Sequence, residues 1–360
     1  MPGDAIAPDV QPIQAAPRPP LRFGVVHDFR SPPGSGIALG DVYAQTMEQI
    51  ELVDQLGLDL CWFSEHHFVP DGYLPNFVPV AAAAATRTSR LRFSTDICLM
   101  PFAHPLRMAE DMAILDLLSG GRMELGIGLG YAVHEFRAFG IPVSRRVSLT
   151  EEGIDILRLA WSGERVSYHG RRYQFDDVLV TPQPVQPGGP PLWLASSSRA
   201  GAERAVRYGT HLLPQGDRAE VLDPWRAGVV ATGGTPGERR VGVIRSVLVT
   251  DDAERDWAVL KQAERYRMGV YIGFAEEAEQ AGTPGGSLGR QERIPQRFIV
   301  GDVDHCVAEL VGFITTFGFT DVVTWGSAPG LEPVWFTPSM ERFTTEVVPR
   351  VRAELAPPSP

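Results

Sequence analysis

The alternation of short apolar runs with segments of helical periodicity limits this chain more than any other feature. LRFGVVHDF (21–29) reads as a buried strand. VYAQTMEQIELVDQLG (42–57) then repeats its apolar positions at helical spacing, with Asp41 as the expected N-cap and Gly57 as the stop. The unit recurs. LDLCWFS precedes a helix expected over 78–88, LRFSTDICLM one over 106–118, and MELGIGLG one over 149–161. PPLWLAS, GTHLLP, VGVIRSVLV and TDVVTWG supply four further strands, with helices expected near 200–208, 217–229, 252–268 and 303–317. A crossover helix returns the chain to the same edge, so successive strands run parallel. Eight such units predict an α/β fold, a (β/α)8 TIM barrel with insertions. VSYHGRRYQF, turning at His169-Gly170, is one insertion, a small hairpin. A loop near 275–297, centred on GTPGGSLGRQERIP, is another. Residues 1–20, rich in Pro and Ala, are expected to form a flexible leader, which leaves 21–360 as a single expected domain.

Composition narrows the partners. With 44% hydrophobic and 21% charged residues, the 360-residue chain has the material for a large core. A formal charge of -11 disfavours nucleic acid and anionic membrane as partners, because phosphate binding needs a basic face. The chain has neither an apolar run of about 20 residues nor a secretory N-terminus, so a cytoplasmic protein is expected. Cys61, Cys98 and Cys306 are odd in number and far apart, as core residues in a reducing compartment would be.

In a barrel of this kind chemistry gathers where strands end. The first strand ends VVHDF, the second FSEHHF and the third STDICLMPFAHP, while the fourth runs ELGIGLGYAVHEF. Adjacent residues of an extended chain point to opposite sides, so His66 and His67 do not readily share one metal ion, and no metal site is expected. An imidazole in a cavity instead exchanges a proton near physiological pH. Gly126, Gly128 and Gly130 alternate along the fourth strand, and Tyr131 breaks the dinucleotide pattern G-x-G-x-x-G. Bare positions on one strand face let a flat ring approach the backbone, or turn a tight barrel corner. Ser196, Ser197 and Ser198 stand before a helix, where hydroxyls and free N–H groups can cradle a phosphate or serve as ordinary caps.

Together these segments resemble the bacterial luciferase-like monooxygenase family. The likeness runs through W-x-x-EHHF (62–68), AAAAATRTSRLRF (81–93) and MPFAHPLRMAEDMAILDLLSGGRMELGIGLGYAVHEFRAFGI (100–141). It continues in TPQPVQPGGPPLWLASSS (181–198) and MERFTTEVVPRVR (340–352), and so covers nearly all of the chain beyond Leu21. The resemblance implies a barrel that binds reduced FMN, or the deazaflavin F420, at its C-terminal mouth. It assigns His66 to catalysis, with Glu65 and His67 as its neighbours. It sets Thr95, Asp96 and Ile97 under the ring, with a cis peptide at Asp96-Ile97. It further implies cofactor contacts from Gly128, Leu129, Gly130 and Tyr131 and from Ser196, Ser197 and Ser198. Where the luciferases carry a phosphate-binding arginine this chain has Leu129, so the serines, backbone N–H groups, Arg145 or Arg146 must compensate. Gly128 replaces their cysteine, so light emission is not implied. The expected function is a two-component flavin monooxygenase that takes reduced FMN from a flavin reductase and uses O2 on a small organic substrate. The alternatives are an F420-dependent hydride-transferring oxidoreductase and a non-catalytic flavin-binding relative. Such proteins are often dimers, which makes a homodimer an expectation.

Overall fold

The computed structural model describes residues 19–282 and 298–356. Its frame is a ring of parallel strands: Arg22–His27, Leu60–Phe63, Arg92–Thr95, Leu125–Gly128, Leu192–Ala195, His211–Leu213, Gly242–Ile244 and Asp321–Trp325. The seventh, eighth, first, second and third strands pair in that order, and the fourth, fifth and sixth form the second arc. Parallel bridges Phe93–Met123 and Leu212–Val241 join the two arcs, so the ring of eight strands closes.

Period-two alternation sets each side chain's place. In the second strand Leu60 and Trp62 face the interior, with Val26, Trp193, Leu213, Val323 and Trp325. Cys61 and Phe63 face outward into the larger core beneath the helices. At the N-terminal end of the ring, Glu124 accepts from Arg22 at 2.7 Å, Arg92 at 2.6 Å and Trp193 at 2.7 Å. Burial pushes this carboxyl up, yet the two guanidiniums outweigh it and hold Glu124 down at about 2. The charges at this end fasten strands together.

Helices of the expected units occupy Phe77–Arg87, Pro105–Ser119, Arg146–Ala160, Arg199–Arg207, Ala219–Ala231 and Val303–Phe317. Three expectations are corrected. The first helix is Leu39–Leu56 with Ala38 at its N-cap, which puts Asp41 in the first turn, where its charge faces the positive end of the helix. VGVIRSVLV is two strands, and its second half, Val247–Val249, pairs with Ile299–Gly301 beside the barrel. The helix expected over 252–268 continues to Gln280 as Ala253–Gln280, 28 residues long, so the start of the expected 275–297 insertion is helical. Gly269 and Gly273 did not stop it, because glycine weakens a helix by only about 1 kcal/mol and contacts at the barrel mouth offset that. Residues 283–297 and the leader 1–18 lie outside the described residues.

The alternating glycines have a packing role. A Cβ at Gly126 would meet the Thr95 carbonyl oxygen at 1.9 Å, and one at Gly128 would meet Ile97 Cδ1 at 1.7 Å. Bareness on the fourth strand therefore admits the third strand and the Ile97 side chain. Gly126→Ala is expected to destabilise the fold by about 1–3 kcal/mol, since the clash is with rigid backbone. Urea unfolding measures this, and a loss below about 0.5 kcal/mol would mean that the strands part freely.

Candidate active site

The second strand stops being a packing element at Ser64. Glu65 and His66 are buried at 8% and 7% exposure, and the chain turns back on itself, His66 donating its backbone N–H to Leu74 O at 3.1 Å. The two histidines part company. The His66 ring places Nδ1 2.9 Å from Glu135 Oε1 and stands edge-on to Tyr73 and Tyr131, with centroids at 4.9 and 6.0 Å. Tyr271 and Phe274, from the long helix, complete its surroundings at 5.9 and 5.0 Å. The His67 ring instead packs on Phe102 and Phe139. Its backbone N–H donates to the same Glu135 oxygen at 2.8 Å. Glu65 faces His67, 3.4 Å from Nε2 but outside hydrogen-bonding geometry, and accepts from the Leu99 N–H at 3.2 Å.

Glu135 is thus the carboxylate of His66, and the sequence reading did not single it out. It is fully buried in the short helix Val133–Ala138 that follows the fourth strand. Its signal was present in YAVHEF: an acidic residue among apolar ones just past a barrel strand. An Nδ1–H held by a carboxylate leaves Nε2 as the free nitrogen, a carboxylate-imidazole arrangement suited to proton transfer.

Beside this pair, Tyr73 Oη lies 2.6 Å from Ser64 Oγ and 2.8 Å from Tyr271 Oη. Behind them is a buried ionic group. Arg30 donates from Nε to Asp71 at 2.7 Å and lies 3.7 Å from Asp28, and its guanidinium covers the Tyr73 ring at 4.7 Å. Arg267, from the long helix, pairs with Glu264, donates to Ser327 O at 2.6 Å and stacks over Trp325 at 4.0 Å. Burial raises the Asp28 carboxyl, and Arg267 and Arg30 pull it back.

His27, fully buried at the end of the first strand, has both ring nitrogens without partners. Burial lowers it to about 3, so it is neutral at working pH. A Cβ at Gly326 would meet its Cε1 at 2.1 Å, so glycine at that position makes the room the ring occupies. The unfolded chain therefore takes up this proton near pH 6.5 and the folded chain only near 3, so His27 withdraws stability as pH falls through that window. His27→Phe is expected to flatten stability against pH between about 6.5 and 3. Denaturant melts of both proteins across that range check this, and parallel profiles would exclude it.

The floor of the mouth is Ile97, Ala195 and Ile244, partly exposed side chains resting on the apolar barrel interior. Asp96-Ile97 is a cis peptide, and Thr95 Oγ1 donates to Gly126 O at 2.6 Å, tying the third strand to the fourth. Burial pushes the Asp96 carboxyl up to about 6 against a hydrogen bond from Gln215. At one side of the floor Ser198 caps the helix Arg199–Arg207, accepting from the Gly201 N–H at 3.3 Å, and Ser196 Oγ donates to Ser198 O at 2.8 Å. Ser197 stands between them. Arg146 donates to Gly130 O at 3.2 Å, and its pKa is lowered by burial and by the like charge of Arg204. Arg204 is itself paired with Glu151 at 2.7 Å, so the groups here that suit an anion are the N–H groups at the start of the helix Arg199–Arg207 and the Arg146 guanidinium. Leu129 and Tyr131 flank Gly130 in the same loop, whereas Arg145 is exposed.

A parallel barrel with a polar corner, an apolar floor and a buried carboxylate-imidazole pair at its C-terminal mouth has the make-up of an enzyme site. The comparisons give this class its family. The model of the luciferase-like monooxygenases matches residues 21–320, and the chain belongs to that family. An F420-dependent glucose-6-phosphate dehydrogenase of Kineococcus radiotolerans is 29% identical over 337 residues, 87% of this chain and 93% of that protein. The oxygenase component of a flavin-dependent trigonelline monooxygenase from Acinetobacter baylyi is 28% identical over 173 residues, 48% of each chain. An uncharacterized protein of Sinorhizobium fredii is 30% identical over 217 residues, 59% of this chain, and the match spans 62% of that relative's length. Among solved structures, the monooxygenase RslO1 of Streptomyces bottropensis superposes with a TM-score of 0.80 at 25% identity, over 91% of this chain and 99% of that one. The oxygenating constituent of 3,6-diketocamphane monooxygenase from Pseudomonas putida, solved with FMN, shares the fold at a TM-score of 0.77 and 19% identity, over 92% and 99%. No helix among the described residues is long and apolar enough to cross a membrane.

Proposed function

We propose that the protein is the oxygenase of a two-component flavin monooxygenase, which takes reduced FMN from a separate reductase and uses O2 to oxygenate a small organic substrate. The observation that carries this reading is the His66-Glu135 pair inside a wall of Tyr73, Tyr131, Tyr271 and Phe274. Apolar rings exclude water from the mouth, and a carboxylate-held imidazole supplies one proton-transfer site there.

The residues present fit the cofactor. Ile97, Ala195 and Ile244 offer a flat apolar floor, and Thr95 fixes the strand that carries Asp96 and Ile97. The Ser196–Ser198 turn, the N–H groups of the helix it starts, and Arg146 at Gly130 would hold the phosphate, which compensates for Leu129. Bound reduced flavin would supply the electrons that activate O2. His66 would then hold or pass a proton at Nε2, Glu135 keeping the ring oriented through Nδ1. Glu65 and His67 would support the loop: Glu65 secures the Leu99 N–H and His67 fills the aromatic rim. The relative named as an oxygenase component supports a partner reductase.

The long alignment with an F420-dependent dehydrogenase favours a second reading, hydride transfer from reduced F420. Anaerobic titration with reduced FMN and reduced F420 separates the two. Micromolar or tighter FMN binding supports the oxygenase, and tight F420 binding with negligible FMN affinity would replace it with the dehydrogenase.

A further inference from the structure

Asp96 and Gln215 make a contact across the mouth that neither the fold nor the His66 pair explains. Asp96 follows the third strand and Gln215 lies two residues beyond the sixth, so two strands separate them in the ring. Gln215 Nε2 nevertheless donates to Asp96 Oδ1 at 2.6 Å. Gln215 does so from φ 55°, a left-handed conformation that a non-glycine residue seldom adopts. Asp96 Oδ2 and Gln215 Oε1 have no protein partner among the described residues. Asp96 directly precedes Ile97, so an acceptor edge borders the apolar floor. An ionised carboxylate accepts hydrogen bonds and donates none. A side chain tied by one oxygen is oriented, and its other oxygen is left for a ligand's N–H.

Resting on the FMN reading, we propose that Asp96, oriented by Gln215, selects a reduced flavin ring carrying an N–H at its position five. Reduced FMN has an N–H donor there, oxidised FMN has a bare acceptor nitrogen, and a 5-deazaflavin has carbon. A carboxylate hydrogen-bonds the first, is opposed by the second and gains nothing from the third. The pair thereby sets both which ring the site takes and in which redox state, favouring the form that reacts with O2.

5-Deaza-FMN isolates this effect, because it keeps the FMN tail and changes only that ring position. Anaerobic dissociation constants are measured by calorimetry for reduced FMN, oxidised FMN and reduced 5-deaza-FMN, with the wild type and with Asp96→Asn. In Asp96→Asn the free carboxylate oxygen becomes an amide that can donate. The wild type is expected to prefer reduced FMN over reduced 5-deaza-FMN about tenfold or more, the strength of one hydrogen bond to a charged group. Asp96→Asn is expected to shrink that preference to about twofold while tightening oxidised FMN. The same ratio in wild type and variant, with reduced FMN still bound tightly, overturns the proposal and leaves the oxygenase reading standing. A wild type that binds F420 but neither FMN nor 5-deaza-FMN overturns both. Should Asp96→Asn fail to fold, Gln215→Ala serves instead: freeing the carboxylate is expected to cut the preference at least about threefold, and an unchanged ratio again overturns the proposal.

Discussion

Turnover of His66→Ala is expected to fall roughly 10²- to 10⁴-fold, the range of a positioned general acid or base. The reason is local. His66 is the imidazole with a fully buried carboxylate on one nitrogen, and the rings of Tyr73, Tyr131, Tyr271 and Phe274 surround it. Flavin affinity is expected to stay within about threefold of the wild type, since the floor and the anion corner lie on other strands. Glu135→Gln retains the shape and removes the charge, so a smaller loss with an altered pH profile should accompany it. Single-turnover oxidation with preloaded reduced FMN reads the chemical step, and a His66→Ala enzyme as fast as the wild type would remove His66 from the mechanism.

Arg267→Met is expected to cost about 3–5 kcal/mol of stability, as removal of one partner from a buried ionic group does. Arg267 is 2% exposed; without it Asp28 keeps only the 3.7 Å approach of Arg30, Glu264 loses its partner, and the Ser327 carbonyl loses a donor. Methionine retains much of the contact with Trp325, so packing loss is a minor part of the change. Urea unfolding gives the number, and a loss under about 1 kcal/mol would show that the group is stable without its second cation.

The barrel was legible because its signal is repetitive: eight apolar runs, each followed by helical periodicity, leave few other topologies. Local turn chemistry was less so. Asp41 has the right type for a cap, but the helix begins at Ala38, whose carbonyl accepts from the Asp41 N–H at 3.0 Å and the Val42 N–H at 3.2 Å. The outer-helix periodicity carries the long helix only to Met268, because the pattern fades where Tyr271 and Phe274 turn toward His66. EHHF was legible as a strand reaching its active end, and extended-chain geometry separated the two rings. Which carboxylate serves which imidazole was not, because Glu135 lies 69 positions from His66 and only the closed ring brings them together. Gly126 and Gly128 show the opposite limit: their spacing marked a close approach, and the structure alone identifies the neighbour as the third strand.

The helix Ala253–Gln280 carries its anchors, Glu264 and Arg267, and its chamber residues, Tyr271 and Phe274, on one continuous rod. At 1.5 Å per residue, Phe274 lies roughly 10 Å beyond Arg267. The rod is a lever. A tilt of about five degrees at the ionic pivot would carry Phe274 by about 1 Å, comparable to the difference between admitting and rejecting a methyl group. Conservative exchanges at Asp28, Glu264 or Arg267 are therefore expected to shift Phe274 against His66 while leaving both of those residues as they are.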